Sequence, residues 1–294
     1  MRRVLVLLAL ASCTAEVHEF GGLTLDATAS SFSVKSGDAV LLESAGVPVE
    51  TRQGRATYEM QVGSWRITDN VSAWSEGMVF TWADAAHGVW SDAQKHEVAR
   101  VAASSSGDGV LALTFTASNE ATNRFALSFK CADADRFLGF GAQADAVDHH
   151  GHRVAMWTSE PGIGKRMQDD EYPDLWVLEG TRHASSYGLP TWLSNRGYQG
   201  LVESDARSLF DVCQADTQIF RIEVWAREFT LHVYAGTPKE AVERATAGPL
   251  KRPVRPPPVA FAPWADTNYG SDSVRHVAQV LRDNDTPLSV LWNE

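Results

Sequence analysis

Four potential metal ligands lie within five residues near the middle of the chain: Asp148, His149, His150 and His152. Imidazole and carboxylate groups are ligands that Zn²⁺ accepts in proteins. Alternate side chains of an extended segment point to opposite sides, however, and the glycine in this segment is typical of a hairpin turn. We therefore interpret the segment as the polar tip of a hairpin, and we predict neither a metal site nor a cofactor.

Aromatic and acidic residues also lie near the ends of two apolar stretches in the last 36 residues. Trp264 is followed by Asp266 and Asn268, and a later apolar stretch ends with Asn293 and Glu294. An indole ring beside polar groups suits the face of a sugar ring, and a carboxylate accepts hydrogen bonds from neighbouring hydroxyls. Core packing of Trp264 and a solvated loop position for Glu294 are the alternatives.

Other motifs of enzyme chemistry are missing from the sequence. The segment "GFGAQ" (139–143) lacks the third glycine of a dinucleotide-binding loop and lies among β-type runs without a following helix. The chain contains neither a G-x-S-x-G nucleophile elbow nor a C-x-x-C pair. The sequence therefore gives no sign of a nucleotide cofactor, a serine nucleophile or a thioredoxin-like site.

The composition is that of a folded acidic protein. Hydrophobic residues make up 44% of the 294 residues, which is enough for a substantial core. The 26 basic residues face 37 acidic ones, so the net charge of −11 argues against a nucleic-acid partner. Ten tryptophans are present, and we expect most of them to be core or strand partners.

The first thirteen residues have the pattern of a targeting segment. Two arginines precede a short apolar run, 4–11, and the run leads into Leu-Ala-Ser-Cys, which ends at Cys13. This pattern resembles a bacterial lipoprotein signal peptide, so we predict lipid attachment at Cys13 and a place at the outer membrane or periplasmic face of a bacterial envelope. A plain secretory signal with a chance cysteine is the alternative. In an oxidising compartment Cys131 and Cys213 could pair, but the sequence leaves their pairing open.

Residues from about 17 to 234 read as β-structure. Short runs with period-two alternation recur, and glycine, aspartate, asparagine and serine separate them. Gly107-Asp108-Gly109 before "VLALTFTAS" predicts a hairpin. We predict a large antiparallel β-sandwich over 17–250, with a long insertion near 144–190.

A short helix and a linker follow the β-rich region. In "GTPKEAVERATAGP", Thr237 is a candidate N-cap, Pro238 suits the first helical position, and Glu240 completes a capping box. "KRPVRPPP" (251–258) has little to bury and contains three consecutive prolines, so we predict a domain boundary there.

The last segment, 259–294, predicts a βαβ unit. We expect an apolar strand at 259–264, a helix capped by Ser271 or Ser273, and a second strand at 288–292. Within the helix, apolar residues recur at helical spacing (Val274, Val277, Ala278, Leu281). Two parallel strands and one helix cannot cover both faces of the strands, so the unit should belong to a larger α/β domain.

Several ordered segments resemble one family of enzymes. They are "RFLGFGAQ" (136–143), "HRVAMWTSEPGIGK" (152–165), "LPTWLSNRGYQGLV" (189–202), "SLFDV" (208–212), "VAFAPWADTNYG" (259–270) and "TPLSVLWNE" (286–294). Together they resemble the N-terminal portion of glycoside hydrolase family 31. The resemblance implies a galactose-mutarotase-like sandwich followed by the first βαβ unit of a truncated (β/α)8 barrel. Ala142 departs from the family pattern, which commonly has a carboxylate there.

The resemblance also implies a function. Members of this family are retaining α-glycosidases that use two carboxylates, and both would lie on barrel strands beyond this chain, so no catalytic residue is assigned here. The resemblance assigns Glu294 to substrate binding and implies that the loop with Glu160 leans over the barrel mouth. Together with Trp264 and Asp266, whose chemistry suits a sugar ring, they are the candidate substrate-binding residues. We expect a neutral α-linked sugar, because the Glu294 carboxylate would repel a sulfonate, and we expect the fragment itself to be inactive.

A non-catalytic carbohydrate-binding envelope lipoprotein is the alternative from a different class. The sequence leaves open the sugar, its linkage, the oligomeric state and the origin of the truncation.

Overall fold

The computed structural model describes residues 16–61, 64–143, 146–156 and 187–293. The chain divides into two compact units, of which the first ends at Leu250 and the second begins at Lys251. The described part of the first unit consists mainly of antiparallel strands with one helix, and the second contains one helix and two strands. The predicted mainly β fold class is therefore confirmed.

The first sheet runs through the chain from its beginning to its last third. Its strands are β1 (Glu16–Phe20), β2 (Leu23–Ala27), β3 (Phe32–Ser36), β4 (Ala39–Arg52), β7 (Ser75–Gly77), β12 (Arg124–Lys130), β14 (His152–Met156), β17 (Ser208–Val212) and β18 (Ile219–Val224). Their order is β1-β2-β3-β4-β12-β18-β17-β14, with the short β7 also paired to β4. All these pairs are antiparallel.

The second sheet is also antiparallel. Its strands are β8 (Val79–Trp82), β9 (His87–Ser91), β10 (Glu97–Ser104), β11 (Val110–Ala117), β13 (Phe137–Gly141), β15 (Gly188–Ser194), β16 (Tyr198–Glu203) and β19 (Glu228–Ala235). They are ordered β13-β15-β16-β19-β11-β10-β9-β8. A separate hairpin joins β5 (Gly54–Gln61) to β6 (Ser64–Val71). The hairpin predicted at Gly107–Gly109 is present as the β10–β11 turn.

Aromatic rings fill the space between the two sheets. Phe32 of the first sheet packs against Trp90 of the second, with ring centroids 6.0 Å apart. Near the other end, Phe220 of the first sheet lies 4.9 Å from Phe137 and 5.2 Å from Trp192, both on the second sheet. Rings at these distances pack in offset or edge-to-face arrangements that contribute beyond their buried area. The sheets therefore form a sandwich around one aromatic core.

The outer face of the first sheet carries buried charges instead of an apolar layer. The Arg124 guanidinium lies 3.9 Å from the ring centroid of Trp225 and makes two hydrogen bonds, of 2.8 and 2.9 Å, to Asp69 of β6. The Trp225 indole N–H in turn donates to Glu223 at 3.0 Å. Because Arg124 is almost fully buried, these contacts replace its hydration and attach the β5–β6 hairpin to the sheet.

The helix after the sandwich begins as the sequence predicts. Helix α1 spans Pro238–Ala247, Thr237 is its N-cap, and Glu240 completes the capping box. Hydrogen bonds from the Thr237 hydroxyl and backbone N–H lower the pKa of Glu240. The helix packs on the outer face of the second sheet through Ala241 and Ala245, which contact Leu201 and Tyr234.

The second unit is a βαβ unit with parallel strands, as predicted. Its elements are β20 (Trp264–Thr267), α2 (Gly270–Asp283) and β21 (Val290–Asn293). The stripe of apolar residues in α2 is partly buried, as its spacing indicates (Val274, Val277, Ala278, Leu281).

Two sequence predictions in this unit are wrong. The predicted strand at 259–264 is a 3₁₀ turn over Pro258–Phe261, and β20 begins only after Pro263. Proline lacks the N–H that a strand ladder needs, and its fixed φ suits the first residue of a helical turn. Neither Ser271 nor Ser273 caps α2, because the helix already begins at Gly270 and Tyr269 is its N-cap residue.

The contact between Gly200 and Trp192 gives a first prediction. The two residues are paired across β16 and β15, and a Cβ on Gly200 would lie 2.2 Å from the indole of Trp192, which is 1% exposed. We expect Gly200→Ala to lower the free energy of unfolding, measured by urea denaturation, by about 1–3 kcal/mol. Gly107→Ala is the matched control, because nothing lies within 4 Å of its added Cβ. Equal stabilities of the two variants would contradict the packing described.

The buried Arg124–Asp69 pair gives a second prediction. Asp69→Asn keeps the shape of the side chain but leaves the Arg124 charge buried without a counter-ion, so the free energy of unfolding should fall by about 3 kcal/mol. Glu243→Gln, in an exposed pair with Lys239 on α1, is the control and should leave stability unchanged. A loss no larger than that of the control would mean that Arg124 is hydrated in solution.

Candidate functional site

The two parallel strands of the second unit place the predicted substrate residues on one face. Trp264 is paired with Val290, and Asp266 with Trp292, so Trp264, Asp266 and Trp292 lie on the same side of the strand pair. Helix α2 packs on the opposite side, where the Thr267 hydroxyl contacts the hydroxyl of Ser273. In a (β/α)8 barrel the face turned away from the helices is the interior, which leads to the ligand-binding end.

Both indole rings on this face are accessible. Trp264 is 58% exposed and Trp292 is 47% exposed, with the exposed Asp266 carboxylate on the same face. The Trp264 indole N–H donates to the carbonyl oxygen of Val259 at 3.0 Å, which holds the ring in place. Trp264 is the first residue of β20, so it lies at the amino end of the strand pair and Asp266 lies nearer its carboxyl end. The contact of Trp264 with a sugar stays a prediction, and so does its alternative role in core packing.

The side chain of Asn293, at the carboxyl end of β21, binds the start of helix α2. Its carbonyl oxygen accepts a hydrogen bond of 2.9 Å from the backbone N–H of Gly270, the first residue of α2. Thr267, the last residue of β20, is the register partner of Asn293. The loop between β20 and α2 is only two residues long, so this hydrogen bond fixes it against the neighbouring strand.

Three predicted functional residues lie outside the described residues. They are Glu160 and Glu294, assigned to substrate, and Cys13, assigned to lipid attachment. Their roles stay predictions. No helix in the described ranges is long and apolar enough to span a membrane.

Asp148, His149 and His150 lie in the turn before β14, and His152 is the first residue of that strand. The rings of His149 and His152 contact each other edge-on, with centroids 6.4 Å apart. The Asp148 carboxylate accepts hydrogen bonds of 3.1 Å from the backbone N–H groups of Phe137 and His150. His149 is 1% exposed and packs edge-on against Phe140 at 5.3 Å. Asp148 therefore stabilises the turn, and His149 belongs to the core.

A group of potential ligands that the sequence did not indicate lies beside this turn. Cys131 and Cys213 form a disulfide, with Cα atoms 6.3 Å apart. The Nδ1 atom of His150 lies 3.9 Å from Sγ of Cys131, and the ligand atoms of all three residues lie within 4.8 Å of one another. The disulfide answers the question of pairing that the sequence left open. The two cysteines are 82 residues apart, so sequence spacing alone gives no signal for this group.

Comparisons with known proteins give one curated relative and several structural ones. A sulfoquinovosidase of Agrobacterium fabrum (strain C58) is 33% identical over 132 residues, which is 42% of this chain. The match covers only 19% of that relative, so the chain corresponds to a minor part of its length. No family model matches the chain.

The fold has solved counterparts in larger enzymes. A family 31 sulfoquinovosidase from E. rectale, solved with an aza-sugar inhibitor, has a TM-score of 0.71 at 18% identity over 92% of this chain and 40% of its own. A family 31 dextranase from Flavobacterium johnsoniae, solved with isomaltotriose, has a TM-score of 0.50 at 13% identity over 96% of this chain and 33% of its own. The resemblance of the chain to glycoside hydrolase family 31 is therefore confirmed over part of its length.

Proposed function

We propose that this chain is the N-terminal part of a retaining α-glycosidase that hydrolyses α-linked sulfoquinovosides. The observation that carries the proposal is the 33% identity to a sulfoquinovosidase over 132 residues. The superposition on a solved sulfoquinovosidase, with a TM-score of 0.71, supports the fold that this function requires.

The arrangement of the second unit suits this role. Trp264, Asp266 and Trp292 lie on one face of the strand pair, and the sequence resemblance adds Glu294 as a substrate residue. In (β/α)8 enzymes the carboxyl ends of the strands carry the residues that bind and transform the substrate. Indole faces stack on sugar rings, and carboxylates accept hydrogen bonds from sugar hydroxyls. The chain would thus supply one wall of a sugar site.

The two catalytic carboxylates would come from later strands of the same barrel. A retaining enzyme needs a nucleophile and an acid/base residue about 5–5.5 Å apart. A (β/α)8 barrel of about 250 residues supplies them, whereas the described second unit holds two strands and one helix. On this proposal the 294-residue chain binds sugar weakly at most and has no hydrolytic activity.

A neutral α-glucoside is the second candidate substrate. A carboxylate at position 294 would repel a sulfonate unless cationic side chains elsewhere compensate, so Glu294 favours an uncharged sugar. The relative that carries the proposal favours the sulfonated sugar instead. The charge of the substrate is therefore the property on which the two candidates differ.

The envelope location is part of the proposal. The N-terminal pattern that ends at Cys13 supports an acylated lipoprotein, so the enzyme would meet its substrate at the outer membrane or in the periplasm. The same anchor would serve a non-catalytic carbohydrate-binding lipoprotein, which is the remaining alternative.

Hydrolysis assays test the proposal. They use the enzyme expressed from the full open reading frame that contains this chain. We expect kcat/KM for an aryl α-sulfoquinovoside to exceed that for the matching aryl α-glucoside by at least about 100-fold, because a site built for the sulfonate loses those contacts with glucose. The anomeric configuration of the first product, read by NMR, should be α. The 294-residue chain serves as the inactive control.

Each other outcome has a defined meaning. The reverse preference would support the neutral sugar and the role of the Glu294 charge. Formation of the β product would rule out a retaining α-glycosidase. Absence of turnover with either sugar, together with sugar binding measured by calorimetry, would support the binding lipoprotein instead.

The role of Trp264 is tested in the same enzyme. Trp264→Ala removes a 58% exposed indole from the face shared with Asp266, so we expect KM for the preferred glycoside to rise about 10-fold with loss of ring stacking. Tyr58→Ala is the control, because Tyr58 is a 51% exposed aromatic side chain on β5, in the first unit. An unchanged KM in Trp264→Ala would remove this residue from the substrate site.

A further inference from the structure

The Cys131, Cys213 and His150 group lies in the sandwich, outside the sugar site proposed above. Cys131 follows the end of β12, Cys213 follows the end of β17, and His150 lies in the turn before β14. The carboxyl ends of β12 and β17 and the amino end of β14 thus lie close together. We propose that reduction of the disulfide turns this group into a binding site for one thiophilic divalent cation such as Zn²⁺, with both thiolates and the His150 imidazole as ligands.

The distances suit this chemistry. Tetrahedral zinc with Zn–S bonds of about 2.3 Å needs its two sulfurs about 3.8 Å apart. The Cα separation of 6.3 Å allows that spacing once the S–S bond is broken, because each sulfur moves by rotation about its Cα–Cβ bond. His150 Nδ1, now 3.9 Å from Sγ of Cys131, needs to move by about 1 Å to reach the same centre.

Burial favours a bound cation in the reduced chain. Cys213 is 1% exposed and Cys131 is 8% exposed, so two thiolates there would be poorly hydrated. A divalent cation neutralises both charges, which makes the loaded site electrically neutral. The neutral imidazole adds a ligand without adding charge.

An open cleft reaches one member of the group, Cys131. Its volume is about 720 Å³, and its lining includes Cys131, Asp133 and Asp216. The two carboxylates would attract a cation to the mouth of the cleft. Three protein ligands leave the fourth position of a tetrahedral cation for a water molecule, as in zinc sites that keep one position open.

The redox state controls the site. A small-molecule dithiol supplies two electrons and two protons, breaks the S–S bond, and is itself oxidised to a cyclic disulfide. The two protein thiols then each lose a proton to solvent as they bind the cation. In the oxidised chain both sulfurs are in the S–S bond, so no thiolate is available as a ligand.

Titration with Co²⁺ tests this inference, since tetrahedral thiolate-bound cobalt absorbs in the visible and near-ultraviolet. The 294-residue chain is reduced with a dithiol, freed of reductant under anaerobic conditions, and titrated, with the oxidised chain in parallel. We expect one Co²⁺ per reduced chain with a sulfur-to-cobalt charge-transfer band, displacement of Co²⁺ by Zn²⁺, and no such band in the oxidised chain.

Variants separate the site from chance binding. His150→Ala should weaken binding about 10-fold or more, and the double variant Cys131→Ser with Cys213→Ser should abolish the charge-transfer band. His96→Ala is the control. The His96 ring is 80% exposed and pairs with Asp92, and both residues are distant in sequence from the cysteine group. This variant should bind cobalt like the parent chain. Binding that is equal in His150→Ala and His96→Ala would overturn the assignment of His150.

Folding of the reduced chain is measured in the same samples by far-ultraviolet circular dichroism. Retention of the β-sheet spectrum, or its recovery when Zn²⁺ is added, supports the site. Loss of that spectrum without recovery, or absence of cobalt binding by the folded reduced chain, overturns it. Because this test has no glycoside in it, its failure leaves the proposed hydrolytic function untouched.

Discussion

Closure of the two sheets over a shared layer of aromatic rings is the constraint on which the rest of the structure depends. Phe220 contacts rings of the opposite sheet on two different strands, Phe137 and Trp192. Trp192 in turn fits only because the residue opposite it, Gly200, has no side chain. Close packing of this kind fixes the register of the strands, since a shift by one residue would turn the rings outward. The loops and turns that hold the polar groups inherit their positions from it.

The strands and helices could be predicted wherever a local sequence pattern determined them. Period-two alternation identified the sheets, and the Thr237–Glu240 capping box fixed the start of α1. The pattern failed at 259–264, where apolar composition suggested a strand. Pro263 has no N–H donor for a strand ladder, and Pro258 begins a helical turn just before this stretch. Composition alone does not report which residues can enter a hydrogen-bonded ladder.

The candidate site could be predicted only in part, and the reason is again physical. Trp264 and Asp266 were assigned to one site, and strand alternation does place them on one face. The Cys131–Cys213–His150 group escaped prediction because it depends on three chain segments that meet only in the folded sheet. Sequence neighbours such as His149 and His150 face different surroundings for the same reason. Pairing between strands that are distant in sequence determines which side chains meet in such groups. A local sequence pattern does not contain this information.

The disulfide has a consequence for the covalent topology of the chain. It joins the ends of β12 and β17, two strands that flank β18 in the sheet, and it closes a loop across 82 positions. A protease that cuts once anywhere between residues 132 and 212 would therefore release nothing. The two pieces would stay in one covalent molecule, and they would separate on a denaturing gel only after reduction. An intact band on a non-reducing gel is thus no proof that the segment between the two cysteines is uncut.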